Sequence, residues 1–427
     1  MAARRHIVLV DANYWGLNLI PAAKRLGYRV TFVRSRDDSK YPEDLAGSLI
    51  PLADAVIEVP VTAEEEALEG ALRDAGKAQP VDGAVTFLDV ALEPLATVAE
   101  RLGIPFTARG AVATVRRKDH ARAALERAGI AGTAYGTASD LATAREVAAR
   151  VGYPLFLKPA AGTSSLMAAR VDDEAALERA FAAVEAGRAH LGPLDRLLDT
   201  RTLLLERRLE GPLVSVELGV AGGRSLPFMV SGRKRAQYDE AMELGATMPA
   251  QIDEATRRDV VDHARTAVEA LGLDLGLFHV EVIVTPEGPR LLEANARLMG
   301  ALMPLLYRNL TGADIYESAA RIHVGDPADP PAPPPGMAAV SRCIASRHDA
   351  VVARAPDLAW LDDHREHLRL FRLKAEPGQV VRAYAGSQKQ QIFGFLQVAG
   401  EGGARMEALA DAIVARLSEE LGIELAT

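Results

Sequence analysis

The chain has 427 residues, 49% apolar and 25% charged, with a formal net charge of −9. That length exceeds what one core needs and predicts two to four packed units; the composition excludes a disordered or fibrous chain. The acidic balance, with no basic stripe or tail, argues against nucleic acid as a partner, although local lysines can still line a cleft for an anionic ligand.

The single cysteine, Cys343, has no partner for an internal disulfide and no base beside it in sequence, so it reads as a small buried apolar residue. Asp11 interrupts the first apolar run too early for a secretory segment. No stretch reaches the ~20 apolar residues that span a bilayer, so the expectation is a cytoplasmic protein with no membrane partner.

In chain order, HIVLV (6–10) reads as a buried parallel strand, LNLIPAAKRLG (17–27) as a helix capped by Gly27, and YRVTFVRS (28–35) as a second strand. Strands follow at AVIEV (55–59) and GAVTFL (83–88), then the helix ALEPLATVAERLG (91–103). Strands alternating with helices predict a doubly wound parallel α/β domain. After the first strand the sequence is DANYWGLN, with no GxGxxG, and the chain has no Walker A loop. An NAD-binding or P-loop domain is therefore excluded.

Residues 114–129 predict one amphipathic helix, carrying Lys118 beside Arg116 and Arg117; alone, such a cationic face is usually solvated. The strand GYPLFLKP (152–159) ends on Lys158, and the loop after it holds Gly162, Thr163, Ser164 and Ser165, small enough to bring backbone N–H groups and hydroxyls against phosphate. A helix (174–187) leads to the strand RTLLLERRL (201–209), whose Glu206 and whose backbone at Arg207, Arg208 and Leu209 can meet an adenine edge. Strands at LVSVELGV and SLPFMVS and a helix at 257–272 follow.

The most informative stretch is FHVEVIVTPEGPRLLEANAR (278–297). A five-residue loop centred on Glu287 sets Glu281 opposite Glu293 and His279 opposite Asn295, all on one face, with Phe278, Val280, Val282, Val284, Leu292 and Ala294 on the core face. Opposed carboxylates repel unless a cation sits between them, and hard oxygen donors suit magnesium. Arg297, two residues on, can hold a phosphate or acyl phosphate through paired hydrogen bonds. Beyond it, DPADPPAPPPG (326–336) is a stiff connector to strands near VVRAYAG and IFGFLQVAG and a last helix.

A helix lysine, a strand lysine with a small-residue loop, a hinge glutamate, then HVE and LLEANAR together resemble the ATP-grasp superfamily, most closely its dipeptide-forming amino-acid ligases. The resemblance implies an ATP-grasp fold: an N-terminal pre-ATP-grasp α/β domain (1–110), a small lobe (111–200), a large lobe (201–330) and a C-terminal α+β unit (331–427). It implies ATP and Mg2+, with Mn2+ as a substitute. Lys118, Lys158 and the loop from Gly162 to Ser165 would meet the phosphates, Glu206 and residues 207–209 adenine, and Glu281, Glu293 and Asn295 the metal. Arg297 would steady the transferred phosphoryl group. Substrate contacts would come from Lys234, Arg235, Glu243, His279, Arg297 and Gly300. Small-molecule carboxylate and amine substrates and a homodimer are expected. Where the family places a ribose-binding glutamate, seven residues past the hinge glutamate, this chain has Leu213. The alternatives are a purine-pathway or carboxylase-type member, although no Met-Lys biotinylation context occurs, and a non-catalytic nucleotide-binding protein, which should lack the metal ligands that are present here.

Overall fold

A computed structural model of the chain describes residues 4–12, 15–36, 41, 43–162, 167–189, 191, 198–384 and 391–427. The expected loop residues Thr163, Ser164 and Ser165 lie outside the described residues.

The first domain is the parallel α/β unit the sequence predicts. Its strands β1 (His6–Val10), β2 (Arg29–Ser35), β3 (Ala55–Val59) and β4 (Gly83–Val85) stand in the order β3-β2-β1-β4, and every pair is parallel. Helices cover both faces. Ile7 and Leu9 pack with helix α1 (Leu19–Arg25), while Val8 and Val10 pack with α3 (Glu65–Ala78) and α4 (Leu92–Leu102); α2 is Glu43–Leu49. This alternation is what a strand buried on both faces requires. Gly27 and Gly103 end α1 and α4 with positive φ, as glycine allows at a helix terminus.

The helix expected over 114–129 is two helices. Helix α5 (Arg109–Arg116) stops and α6 (Lys118–Arg127) starts on either side of Arg117, whose backbone is extended at φ −114° and ψ 109°. Periodicity could not reveal the break, because both helices turn alanine, valine and leucine toward one shared core.

A four-stranded antiparallel sheet follows, ordered β5-β8-β6-β7, from β5 (Tyr135–Ala138), β6 (Leu155–Pro159), β7 (Ala169–Val171) and β8 (Leu203–Arg207). Helices α7 (Leu141–Val151) and α8 (Glu174–Arg188) pack on it; Asp140 and Asp173 cap them by accepting from Thr143 N–H and Ala176 N–H. β8, which the expected boundary at 200/201 assigned to the large lobe, lies inside this smaller sheet.

The large sheet has eight strands ordered β13-β12-β9-β10-β11-β14-β18-β16. They are β9 (Leu213–Ala221), β10 (Arg224–Arg235), β11 (Glu243–Met248), β12 (Gly276–Thr285), β13 (Gly288–Asn295), β14 (Met337–Ala345), β16 (Leu368–Leu373) and β18 (Ile392–Glu401). Two-residue strands β15 (Ala350–Val351) and β17 (Val380–Val381) pair apart from it. Helices α5, α6 and α9 (Glu254–Ala270) cover one face; α10 (Met303–Thr311) and α11 (Ile315–His323) pack against the N-terminal domain. Since β11 pairs directly with β14, the expected boundary at 330/331 separates two stretches of one continuous sheet. The last helix, α12 (Gly403–Leu421), packs on β14 and β18.

Candidate functional site

An open cleft of about 900 Å³ lies between the small sheet and the β12–β13 end of the large one. Lys118, Lys158, Gly162, Glu206, Arg207 and Leu209 face it from one side, and Arg235, Glu243, Glu281 and Glu293 from the other. Leu213, seven residues past Glu206, contributes to its apolar wall.

The hairpin pairs as the sequence predicts at its functional end and differently at its tip. His279 stands opposite Asn295 and Glu281 opposite Glu293. Thr285, however, pairs with Gly288 and Val282 with Leu291, so the turn is two residues long and Leu292 is the extra residue of a β-bulge. The short turn and the bulge offset each other by one residue. They also move Leu292 from the expected core face to the cleft, and Leu291 takes the core position at 3% exposure.

The protein itself supplies cations to the opposed carboxylates. Lys118 Nζ lies 3.2 Å from Glu293 Oε1 and donates to Gly162 O at 3.2 Å. His279 joins Glu281 at 3.1 Å through Nε2, and its Nδ1 meets the fully buried Glu217. Burial alone would lower the His279 pKa, but the two carboxylates outweigh it and raise it to about 9, so the ring is an imidazolium at neutral pH. Burial would raise Glu281; His279, Arg233 and Arg297 instead lower it to about 2, leaving an ionised carboxylate. The Asn295 amide makes no hydrogen bond among the described residues. No group of three or more His, Cys, Asp or Glu is placed to hold a metal among them.

On the opposite wall, Lys158 and Glu206 share one face of neighbouring strands and meet at 2.5 Å. The other Glu206 oxygen accepts from Arg122 Nε at 3.0 Å and Nη2 at 2.8 Å. Burial would raise Glu206, but Arg122 and Lys158 lower it to about 2. Lys158 moves the other way: burial lowers its pKa, and Glu206 only partly restores it. Glu206, expected to accept the adenine amino proton, thus has a cation on each oxygen. The Arg207 N–H donates to Ala134 O and the Arg208 N–H to Pro154 O. Of the three expected backbone contacts to adenine, the Leu209 N–H is the one without a partner among the described residues.

Arg297 does not point a free guanidinium into the cleft. Its Nε and Nη2 donate to both oxygens of Asp89 at 3.0 Å, and Asp89 also accepts from Arg116 at 3.3 Å. Burial would raise Asp89, yet Arg297 and Arg116 hold it below the ordinary carboxylate range. Gly300 sits beside this pair: a Cβ added there would stand 3.9 Å from Arg297 Nη1. Lys234, expected in the substrate site, instead pairs with Asp411 of α12 at 2.9 Å. Side chains alternate along a strand, so its neighbours turn the other way: Arg235 donates to Gly211 O and approaches Glu240, and Arg233 pairs with Glu243.

Sequence reasoning missed Asp89, Arg116, Arg122 and Arg233. A signal existed for Asp89, which follows β4 at the carboxyl end of a parallel strand, where open α/β sheets bind ligands. Arg122 lies four residues from Lys118 on one helix, hence on the same face.

Two family models match this chain: an ATP-grasp N-terminal domain over residues 20–106 and an ATP-grasp domain over residues 151–304. Carnosine synthase 1 of Gallus gallus is 32% identical over 149 residues, 34% of this chain and 16% of that protein. Alanine–anticapsin ligase of Bacillus subtilis is 25% identical over 272 residues, 60% of this chain and 56% of that protein. The chain therefore spans between about a sixth and just over half the length of these relatives. In structure, an L-amino acid ligase from Bacillus licheniformis superposes with a TM-score of 0.78 at 21% identity, covering 100% of this chain and 99% of that one.

Proposed function

The chain belongs to the ATP-grasp superfamily, and we propose on that footing that it joins the carboxylate of an amino acid to an amine at the expense of ATP, releasing ADP and phosphate. The observation that carries this reading is the pairing of Glu281 with Glu293 on one wall of a cleft whose other wall presents Lys118 and Lys158.

A carboxylate resists attack by an amine because its oxygen is a poor leaving group. Transfer of the γ-phosphoryl group onto that oxygen makes a mixed anhydride, and the amine then displaces phosphate. The protein's part is to position the partners and to offset the charge that moves. Lys158, desolvated and steered by Glu206, would hold phosphate oxygens. Lys118 reaches the same space from the start of α6, where its N–H is anchored on Ala160 O. The Leu209 N–H offers adenine a donor. Arg297, aimed by Asp89, brings its charge toward Glu281 and Glu293, and to grip a phosphoryl oxygen it must share or exchange its Asp89 contact.

Glu281, Glu293 and Asn295 would hold magnesium, or manganese in its place. Two carboxylates and an amide fit an ion that takes few protein oxygens and completes its shell with phosphate and water. When bound, the ion supplies charge neutralisation between the phosphates. Arg235, Glu243 and Gly300 remain the proposed substrate contacts, and Lys234 has left that set for Asp411.

Incubating the protein with ATP, magnesium and pairs of amino acids tests the reading. Release of ADP and phosphate together with a new amide mass supports it. Stoichiometric AMP and pyrophosphate, or no turnover with any pair, counts against it.

A further inference from the structure

We infer that Arg122 is a positioning residue that sets the phosphate side and the metal side of the cleft from one guanidinium; this rests on the nucleotide-binding reading above. Arg122 lies on α6 and is 3% exposed. Its Nε and Nη2 hold one oxygen of Glu206, whose other oxygen holds Lys158. Its Nη2 also donates to Leu292 O at 2.9 Å. Leu292 is the bulge residue, the one the β12–β13 ladder leaves without a partner of its own. That bulge shifts the register by one residue, and so it decides that Glu293 faces Glu281. Arg122 therefore grips both the hinge carboxylate that aims Lys158 and the carbonyl next to the metal carboxylate.

The helix adds a second tie on the same face. Lys118, one turn earlier, contacts Glu293 and the backbone at Gly162. Between them, these two side chains tie the small sheet to the large one. Stability alone does not account for the arrangement. A buried ion pair is commonly no better for stability than apolar residues of equal volume. A fixed fork that meets two acceptors in two lobes is a geometric device, and lysine cannot reproduce it. Misplacing reacting groups by ~1 Å can cost about a hundredfold in rate, so such a device has a function to protect.

The test uses the full chain and two variants, Arg122→Lys and Arg122→Ala. Calorimetric titration measures ADP affinity and its magnesium dependence, and thermal unfolding is recorded in parallel. For Arg122→Lys the expected result is a folded protein whose ADP dissociation constant rises at least tenfold. The magnesium concentration that half-maximally supports ADP binding rises with it. Arg122→Ala behaves likewise and recovers part of its ADP affinity when methylguanidine is added. Should Arg122→Ala not fold, Arg122→Lys decides alone. Both quantities within twofold of wild type, whatever happens to the melting temperature, make Arg122 a structural residue and overturn the inference. A change in only one of the two overturns the coupling of the two sides. Wild-type protein that binds no ADP removes the nucleotide reading itself, whereas wild-type binding with unaffected variants removes only the role of Arg122.

Discussion

Replacing Glu206 with glutamine keeps the shape of the side chain and removes the charge that two buried cations share. Glu206 is 3% exposed, so solvent screens little of the effect. Its carboxyl is lowered from 4.5 to about 2 by Arg122 and Lys158 against the opposing effect of burial. At about 1.4 kcal/mol per pKa unit, that corresponds to roughly 3 kcal/mol of stability at neutral pH. An independent scale agrees, since removing one partner of a buried ion pair costs about 3–5 kcal/mol. The sign follows from the direction of the displacement. A carboxyl lowered in the folded state stabilises it fully above the unfolded-state value, and this is lost as pH falls from 4.5 toward 2. Urea unfolding at pH 7 should therefore place Glu206→Gln about 3 kcal/mol below wild type, and the gap should narrow below pH 4.5. The same substitution leaves Lys158 without the charge that partly offsets its burial, so ADP affinity should fall at least tenfold by titration. A stability change under ~0.5 kcal/mol with unaltered ADP affinity would refute the reasoning, because the triad would then be neither buried nor coupled.

Glu281→Gln and Glu293→Gln should each cut ATP turnover by orders of magnitude. Each should also lower the stability of the metal-free protein, since Glu281 pairs with a protonated His279 and Glu293 with Lys118; calorimetry in EDTA that finds both variants more stable than wild type would contradict this. His323 is buried with no partner for Nδ1 among the described residues, stacks on Phe106, and has its pKa lowered by burial from 6.5 to about 4. A histidine lowered in the folded state leaves stability intact above the unfolded-state value and drains it as pH falls, here from 6.5 toward 4, by roughly 3 kcal/mol; His323→Gln should flatten that part of the stability–pH curve, and an unchanged slope would show that the ring titrates freely. Lys234→Ala should leave turnover at the wild-type level and cost about 0.2–1 kcal/mol, because its bond to Asp411 is partly exposed; a large loss of turnover would return Lys234 to the substrate site.

The elements that strand and helix periods encode were legible. HIVLV, GYPLFLKP and the 278–297 hairpin appear where alternation and branched residues put them, and Glu281 meets Glu293 as predicted. That agreement conceals two offsetting departures, a shorter turn and a bulge, and only the misplaced Leu292 betrays them. Identity and spacing can place a carboxylate on a strand but cannot say which distant side chain will meet it. Glu206 acquires Arg122 from 84 residues away, and Arg297 acquires Asp89 from 208 away. For that reason the adenine role read for Glu206 and the free phosphate fork read for Arg297 were not foreseeable as ion pairs. Lys234 meets Asp411 for a local reason: strand parity sends it to α12 while Arg233 and Arg235 turn the other way, and the bulge between Lys234 and Arg235 blurs the pattern in sequence.

The proposed reaction phosphorylates a carboxylate oxygen on the way to the amide. Supplying a substrate amino acid labelled with 18O in its carboxyl group, with ATP, magnesium and an amine partner, tests this directly by mass spectrometry of the released phosphate. One 18O is expected in the inorganic phosphate for each amide formed, with ADP as the nucleotide product. Amide formation with unlabelled phosphate, or with label appearing in AMP, would contradict it.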